Sequence, residues 1–182
     1  NPFIDNLGKS RARGIEAKIT LTPVAGLTLD ANLSYTRATV QQTLIRPEII
    51  NDDGSVIPPG TIVTKGDRFA PPWIVSLAAD YESELGMGDV VGYGHVQWDY
   101  RSGLTLPAGN LGFNPLLARL DDQNFVSARL GVRTRGMDIS LFVNNLLNSQ
   151  DELGRLALGA GERLLRQTYR PRTWGVTASY RF

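Results

Sequence analysis

The sequence contains no cysteine and only one histidine in 182 residues. The absence of cysteine excludes a disulfide framework and any thiolate-bound metal site. His95 stands alone on a polar strand face, with no partner at ligand spacing, and we interpret it as an ordinary strand residue. Serines and carboxylates are plentiful, but no histidine partner supports a nucleophilic triad. The sequence therefore predicts a protein that is not an enzyme and that holds no metal or cofactor.

Excess charge and long apolar runs are also missing. The chain has 19 Lys and Arg residues against 18 Asp and Glu residues, a net charge of +1. Without a broad basic field, we expect no nucleic-acid partner. No apolar run approaches the roughly 20 residues of a membrane helix. The mean hydropathy of −0.16 fits a soluble domain or a membrane β-barrel, because the polar half of each barrel strand conceals the apolar half in any average.

The sequence instead contains a period of two that recurs along its length. At the C-terminal end, apolar or aromatic residues at 174, 176, 178, 180 and 182 alternate with polar or small residues. Such alternation predicts a β-strand with two different faces. The same pattern occurs in six earlier segments, near residues 15–23, 27–36, 73–82, 95–101, 126–133 and 138–144. Seven strands are therefore predicted, without a convincing helical period among them.

The predicted strands are joined by short and long connections in strict alternation. Three tight turns that contain glycine lie at 23–26, 85–88 and 134–136. Three long stretches rich in Pro, Gly and Asp lie between them: loop 1 (40–71), loop 2 (102–123) and loop 3 (148–171). An antiparallel up-and-down meander with short turns at one end and long loops at the other is typical of an outer-membrane barrel.

The two predicted faces differ sharply in charge. One face carries most of the acidic, basic and amide side chains of the strands, and burying them in a dry core would be very costly. The opposite face is nearly free of charge, and aromatic residues such as Tyr35, Trp73, Tyr81 and Trp174 lie close to strand ends. Amphipathic rings at that position are typical of the girdles of membrane barrels. We therefore expect an all-β fold with about seven transmembrane strands, one face towards lipid and the other towards a polar lumen.

Four motifs in order resemble the closing segment of TonB-dependent outer-membrane receptors. They are DNLGKSRARGIEAKI (5–19), GDRFAPPW (66–73), LFVNNLLN (141–148) and PRTWGVTASYRF (171–182). The resemblance implies that 1–182 is the C-terminal portion of a barrel of the 22-stranded type, with the plug domain and the earlier strands absent. It also implies residence in the outer membrane of a Gram-negative bacterium and contact with outer-membrane lipid.

The resemblance further implies function and partners. Receptors of this family take up scarce small-molecule nutrients, such as siderophore–iron complexes, vitamin B12 or glycans, with energy from TonB coupled through the plug and its TonB box. The barrel-assembly machinery reads the last strand of such barrels, and here the matching residues are Trp174, Val176, Ala178, Tyr180 and Phe182.

The loops supply candidate ligand contacts. A basic cluster with an aromatic ring suits an anionic, chelate-type nutrient. The candidate residues are Arg46, Asp52 and Asp53 in loop 1, and Arg155, Arg163, Arg166 and Tyr169 in loop 3. Segment 51–55 predicts a tight turn at a loop tip, and for segment 151–167 a short helix and an irregular loop are both compatible with the leucine spacing.

Two other functions remain open on the sequence alone. A passive porin has the same alternation in its wall, and only a plug with a TonB box would separate the two classes. A soluble β-sandwich that serves as a binding module is the second alternative, although no amphipathic helix or second sheet is evident to cover the apolar faces.

Overall fold

The computed structural model describes residues 8–86, 88–110, 113–158 and 163–181. Fifteen strands occur there: β1 (Ser10–Val24), β2 (Leu27–Val40), β3 (Leu44–Arg46), β4 (Ile49–Ile50), β5 (Val56–Ile57), β6 (Gly60–Val63), β7 (Trp73–Glu84), β8 (Val91–Arg101), β9 (Leu104–Thr105), β10 (Arg119–Leu120), β11 (Gln123–Thr134), β12 (Met137–Asn144), β13 (Glu152–Leu158), β14 (Arg163–Thr168) and β15 (Thr173–Tyr180). None of the described segments forms a helix long and apolar enough to cross a membrane.

Seven of these strands form one sheet in the order β1-β2-β7-β8-β11-β12-β15. Each strand pairs antiparallel with the next of the seven along the chain, so the sheet is an up-and-down meander without a crossover. The predicted number of strands and their topology are confirmed. Among the described residues no second large sheet packs on this one, so the structure gives no support to a β-sandwich.

The short turns also contact the next hairpin. Gly26 and Gly136 have φ angles of 81° and 84°, which disfavour other residues. The Gly26 carbonyl accepts a hydrogen bond from the Glu82 amide at 2.8 Å, and the Gly136 carbonyl accepts one from the Arg181 amide at 2.8 Å. A Cβ at either glycine would clash with the neighbouring carbonyl oxygen, so these positions require glycine for close approach as well as for the turn.

The first hairpin is longer than the alternation predicts. Strand β1 begins at Ser10 and β2 ends at Val40, and their pairing is continuous from Ser10–Val40 to Leu21–Leu29. The register then shifts between Leu21 and Val24, beside Pro23, which has no N–H for the ladder. The sequence predicts that the second strand ends near Tyr35. The paired hairpin instead continues for several residues beyond Tyr35, to Val40.

The long loops contain small hairpins of their own. Strands β3 and β6 pair in loop 1, β4 and β5 extend that hairpin, β9 pairs with β10 in loop 2, and β13 pairs with β14 in loop 3. The expectation of a short helix or an irregular loop over 151–167 is wrong, because Arg155–Arg166 and Leu156–Leu165 form cross-strand pairs. The predicted tight turn at 51–55 is confirmed by a hydrogen bond of 2.9 Å from the Asn51 amide to the Ser55 carbonyl.

Candidate functional site

The seven-stranded sheet has a charged face and an apolar face. The charged face includes Asp30, Asp80, His95, Asp99, Arg129, Arg133 and Asp138, which the strand pairing aligns on one side. Its side chains contact one another across neighbouring strands and do not pack into a core. His95 Nδ1 lies 2.7 Å from Asp80 Oδ1, and Arg129 donates to the Ser140 hydroxyl at 2.9 Å. Asp80, His95 and Arg129 remain partly exposed, whereas Ser140 is buried beneath its contact with Arg129. The charged groups of this face therefore suit a wet lumen and lose little hydration.

The apolar face has almost no cover. Ile15 is 73% exposed, Leu130 66%, Leu141 56% and Val176 63%. Soluble proteins rarely expose a continuous apolar surface across a whole sheet, since every such patch favours association. Only two hydrophobic residues in the described part of the chain are buried, Ala38 and Ala118. The described part of the chain therefore has no internal core of the usual kind, and its apolar face is open to an external apolar partner.

Aromatic pairs mark the end of the sheet that carries the long loops. The Tyr35 and Trp73 rings lie 4.6 Å apart, and the Trp98 and Tyr100 rings are stacked at 5.8 Å. Tyr81 lies towards the opposite end of the apolar face and is 49% exposed. Two levels of amphipathic rings separated by aliphatic side chains match the two interfaces of a bilayer.

Loops 1 and 2 meet through a polar contact beside an apolar cleft. Asn110 donates to Asp67 Oδ2 at 2.8 Å, and the same carboxylate oxygen accepts from the Thr64 amide at 2.7 Å. The cleft has a volume of about 290 Å³ and is lined in part by Phe69, Leu106, Phe113 and Leu117. Phe69 is 50% exposed and Phe113 37% exposed, so the cleft presents aromatic surface to solvent.

Loop 3 is held against loop 2 by an ionic cluster that the sequence did not reveal. The Glu152 carboxylate pairs with Arg155 and, at 3.0 Å, with Arg166. Arg155 also donates to the Leu116 carbonyl at 3.2 Å. The buried amide of Gln123 donates to the Glu152 carbonyl at 2.8 Å. No periodic pattern predicts these contacts, because they join segments that are distant in sequence.

Asn145 anchors both ends of loop 3. Its side chain is 1% exposed, and its amide nitrogen donates to the carbonyls of Ser149 and Arg170 at 2.9 and 2.8 Å. Its oxygen accepts from the Ser149 amide at 2.7 Å. Asn148 adds a bond of 3.0 Å from the Arg172 amide. The asparagines of the LFVNNLLN motif therefore close the neck of the loop, a role that the motif alone did not reveal.

The candidate ligand residues of loop 1 lie in separate local contacts. Arg46 lies in β3 and donates to the Pro58 carbonyl at 2.9 Å. Asp52 and Asp53 occupy the exposed β4–β5 turn. Hydrogen bonds from the side chain and the amide of Ser55 hold the pKa of Asp53 below its usual value. None of these three residues forms a hydrogen bond or an ion pair with the described part of loop 3, so the candidates of loop 1 and loop 3 do not form one cluster there.

The candidates of loop 3 differ in availability. The Arg155 side chain is 17% exposed and committed to ion pairs, whereas that of Arg166 is 60% exposed. Tyr169 packs against Phe125, with ring centroids 4.9 Å apart. Burial raises the pKa of the Tyr169 phenol, and the Asp151 and Asp99 carboxylates raise it further. The Arg163 side chain lies outside the described residues.

The last strand presents its alternating residues on the apolar face. Trp174, Val176, Ala178 and Tyr180 pair with Val143, Leu141, Ile139 and Met137 of β12. Trp174 is 76% exposed and Tyr180 63% exposed. Phe182, the remaining member of the predicted assembly signal, lies outside the described residues. The reading of this strand by assembly machinery stays a prediction.

Comparison with solved structures gives one weak likeness. The ferric-catecholate import receptor Fiu of E. coli K12 aligns with a TM-score of 0.46 and 18% identity, over 95% of this chain. The chain spans 28% of the length of that receptor chain. Comparison with curated protein sequences gives no significant match.

Comparison with family models gives a match that covers most of the chain. The model described as "TonB dependent receptor-like, beta-barrel" matches residues 1–146. The matched region contains six of the seven strands of the meander. The chain therefore belongs to the β-barrel family of TonB-dependent receptors.

Proposed function

We propose that this chain forms part of the wall of an outer-membrane receptor that imports a scarce small-molecule nutrient with energy from TonB. The observation that carries the proposal is the exposed apolar face of a seven-stranded meander whose other face is charged. Lipid covers the first face, and the second lines a polar lumen. Membership of the receptor family supports transport as the purpose of that lumen.

The loops assign an orientation to the wall. In barrels of this architecture the short turns lie in the periplasm and the long loops lie outside the cell. The turns after β1, β7 and β11 are then periplasmic. Loops 1, 2 and 3, with their hairpins, are extracellular. Tyr35 and Trp73 then lie at the outer interface of the membrane. Tyr81 lies at the inner interface.

The partners follow from this placement. TonB acts through a plug that is not among these residues. The barrel-assembly machinery recognises the apolar face of β15, with Trp174, Val176, Ala178 and Tyr180, together with Phe182. The exposed apolar residues of the last strand support recognition by this machinery. β15 is also the last strand of the sheet, so its outer backbone edge is available for pairing.

The extracellular loops bind the nutrient. The cleft between loops 1 and 2 offers aromatic surface from Phe69 and Phe113. In loop 3, Arg166 and Tyr169 add a guanidinium and a phenol, while Arg155 holds the loop in place. Aromatic surface and an exposed guanidinium among the loops suit an anionic chelate such as a siderophore–iron complex. The nutrient is then the cargo, and any iron it carries belongs to the transported complex.

Uptake by cells tests the transport proposal. The full-length receptor is expressed in a strain that lacks its own receptors, with and without TonB, and is offered labelled catecholate and hydroxamate iron complexes, cobalamin and maltooligosaccharides. We expect concentrative uptake of one class that is lost without TonB. Uptake that follows the concentration gradient and is indifferent to TonB would instead establish a passive porin.

A further inference from the structure

Three arginines lie in the part of the β1–β2 hairpin that extends beyond the row of Tyr35, and the transport proposal assigns them no role. Arg11 and Arg13 lie on β1, and Arg37 lies on β2. Side chains alternate along a strand, so Arg11 and Arg13 share the face of Ile15, and Arg37 shares the face of Tyr35. That is the apolar, lipid-facing side. All three residues are exposed, and together they form the arginine patch.

The depth of the arginine patch in the membrane follows from the row of aromatic residues next to it along the strands. Tyr35 pairs with Ile15 on one side and with Trp73 on the other, which fixes the outer interface at this row. Arg13 and Arg37 lie two residues further along their strands, a distance of about 7 Å along the strand. Rings of this kind sit at the boundary between hydrocarbon and headgroups. The inference rests here on the orientation given under the proposed function, in which the arginine patch lies at the level of the headgroups of the outer leaflet.

The arginines of the patch lie close together without an acidic partner in the described part of the chain. Arg13 and Arg37 are directly opposite in the antiparallel pair, where like charges are destabilising. None of the three forms an ion pair with an acidic side chain of residues 8–86, 88–110, 113–158 or 163–181. An external anion between the two guanidinium groups would relieve this repulsion.

Two arginines elsewhere, on the charged face and at a turn, have acidic partners. Arg133 lies 3.4 Å from Asp138 and 3.7 Å from Glu82, and Arg135 lies 3.1 Å from Asp89. Arg133 on the charged face and Arg135 at a turn thus have acidic partners within the protein. Arg11, Arg13 and Arg37 have none among the described residues, and all three lie together on the lipid-facing rim of the first hairpin.

We propose that the arginine patch binds the phosphate groups of an anionic lipid of the outer leaflet. Guanidinium groups bind phosphate oxygens in bidentate geometry, and an anion between Arg13 and Arg37 converts their repulsion into attraction. The occupant is a lipid rather than a soluble anion because the patch continues downward into Ile15, Tyr35 and Leu33, against which acyl chains pack. The inference goes beyond nutrient transport, since it concerns the outer surface of the wall.

Lipid binding by the purified full-length receptor tests the proposal. The probe is a hexa-acylated glucosamine disaccharide with two phosphates, titrated into detergent-solubilised receptor and followed by native mass spectrometry. We expect the double variant Arg13→Gln/Arg37→Gln to bind this lipid about tenfold or more weakly than the parent, because two charge-assisted contacts are lost. Arg13→Lys/Arg37→Lys should retain much of the affinity, since the charge remains.

The matched control removes two arginines elsewhere. Arg119→Gln/Arg135→Gln loses the same charge at two exposed positions outside the patch and should bind within about twofold of the parent. Heat-modifiable migration of each variant checks that the barrel is folded. Unchanged affinity of the folded Arg13→Gln/Arg37→Gln variant would overturn the proposal. Equal binding of the dephosphorylated lipid, or full displacement by millimolar inorganic phosphate, would overturn it as well.

Discussion

Replacing Asn145 by alanine is expected to release loop 3 from the barrel. The substitution removes three hydrogen bonds at a site that is 1% exposed and leaves the amide of Ser149 and the carbonyls of Ser149 and Arg170 without that partner. Each buried polar group left unsatisfied costs about 1–3 kcal/mol. Asn145 also has a φ of 53°, a region that asparagine tolerates better than alanine. We expect a loss of about 3 kcal/mol or more in the local stability of the loop neck.

Hydrogen exchange of the Ser149 amide in the full-length receptor measures this loss. Exchange should accelerate by about two orders of magnitude or more in Asn145→Ala, since each 1.4 kcal/mol corresponds to a factor of ten. Asn144→Ala is the matched control, because Asn144 is the adjacent residue and is exposed. Equal protection of Ser149 in the parent and in Asn145→Ala would show that the asparagine does not hold the loop.

Replacing Leu130 by arginine is expected to impair insertion of the barrel. Leu130 lies near the middle of β11, is 66% exposed, and faces the same side as Leu141 and Val176. An arginine on the lipid face near the bilayer midplane costs about 2–4 kcal/mol. The side chain at position 130 points away from the lumen, because only its neighbours at 129 and 131 point to that face. We therefore expect a loss of that size in the free energy of folding into vesicles, measured by urea titration.

Two variants separate the charge from other effects. Leu130→Ala removes apolar surface without adding charge, and its loss should be well below that of Leu130→Arg. Arg129→Ala changes the adjacent residue on the charged face, where one hydrogen bond to Ser140 is lost, and should cost about 1 kcal/mol. A tolerance of Leu130→Arg equal to that of Arg129→Ala would contradict the assignment of the two faces.

The sequence predicts the sheet well because strand faces follow a local rule. Successive side chains point to opposite sides, so the residues around Leu130 or Val176 identify their face without knowledge of the partners. Glycine in the short turns likewise marks the hairpins before any contact is known. The seven strands, their order and the segregation of charge could therefore be predicted from local patterns.

The loops could not be predicted in the same way because distant contacts decide their structure. The β13–β14 hairpin shows no clean alternation, and Glu152 joins it to loop 2 through Arg155 and Gln123. The sequence alone predicts a ligand contact for Arg155, because a basic residue in a loop shows no partner until the chain is folded. The LFVNNLLN motif does not reveal the role of Asn145 for the same reason. The height of the β1–β2 hairpin depends on pairing beyond Tyr35 that the mixed residues there do not reveal.

The central claim is that one face of the sheet lies in lipid and the other lines a polar lumen. Single cysteines at 127, 128, 129, 130, 132 and 133 of the full-length receptor, labelled with nitroxide and reconstituted into vesicles, test it most directly. The account predicts that collision with oxygen relative to a water-soluble nickel chelate alternates, with high ratios at Ala128, Leu130 and Val132 and low ratios at Ser127, Arg129 and Arg133. Ratios that do not alternate, or that alternate with the opposite phase, would contradict it.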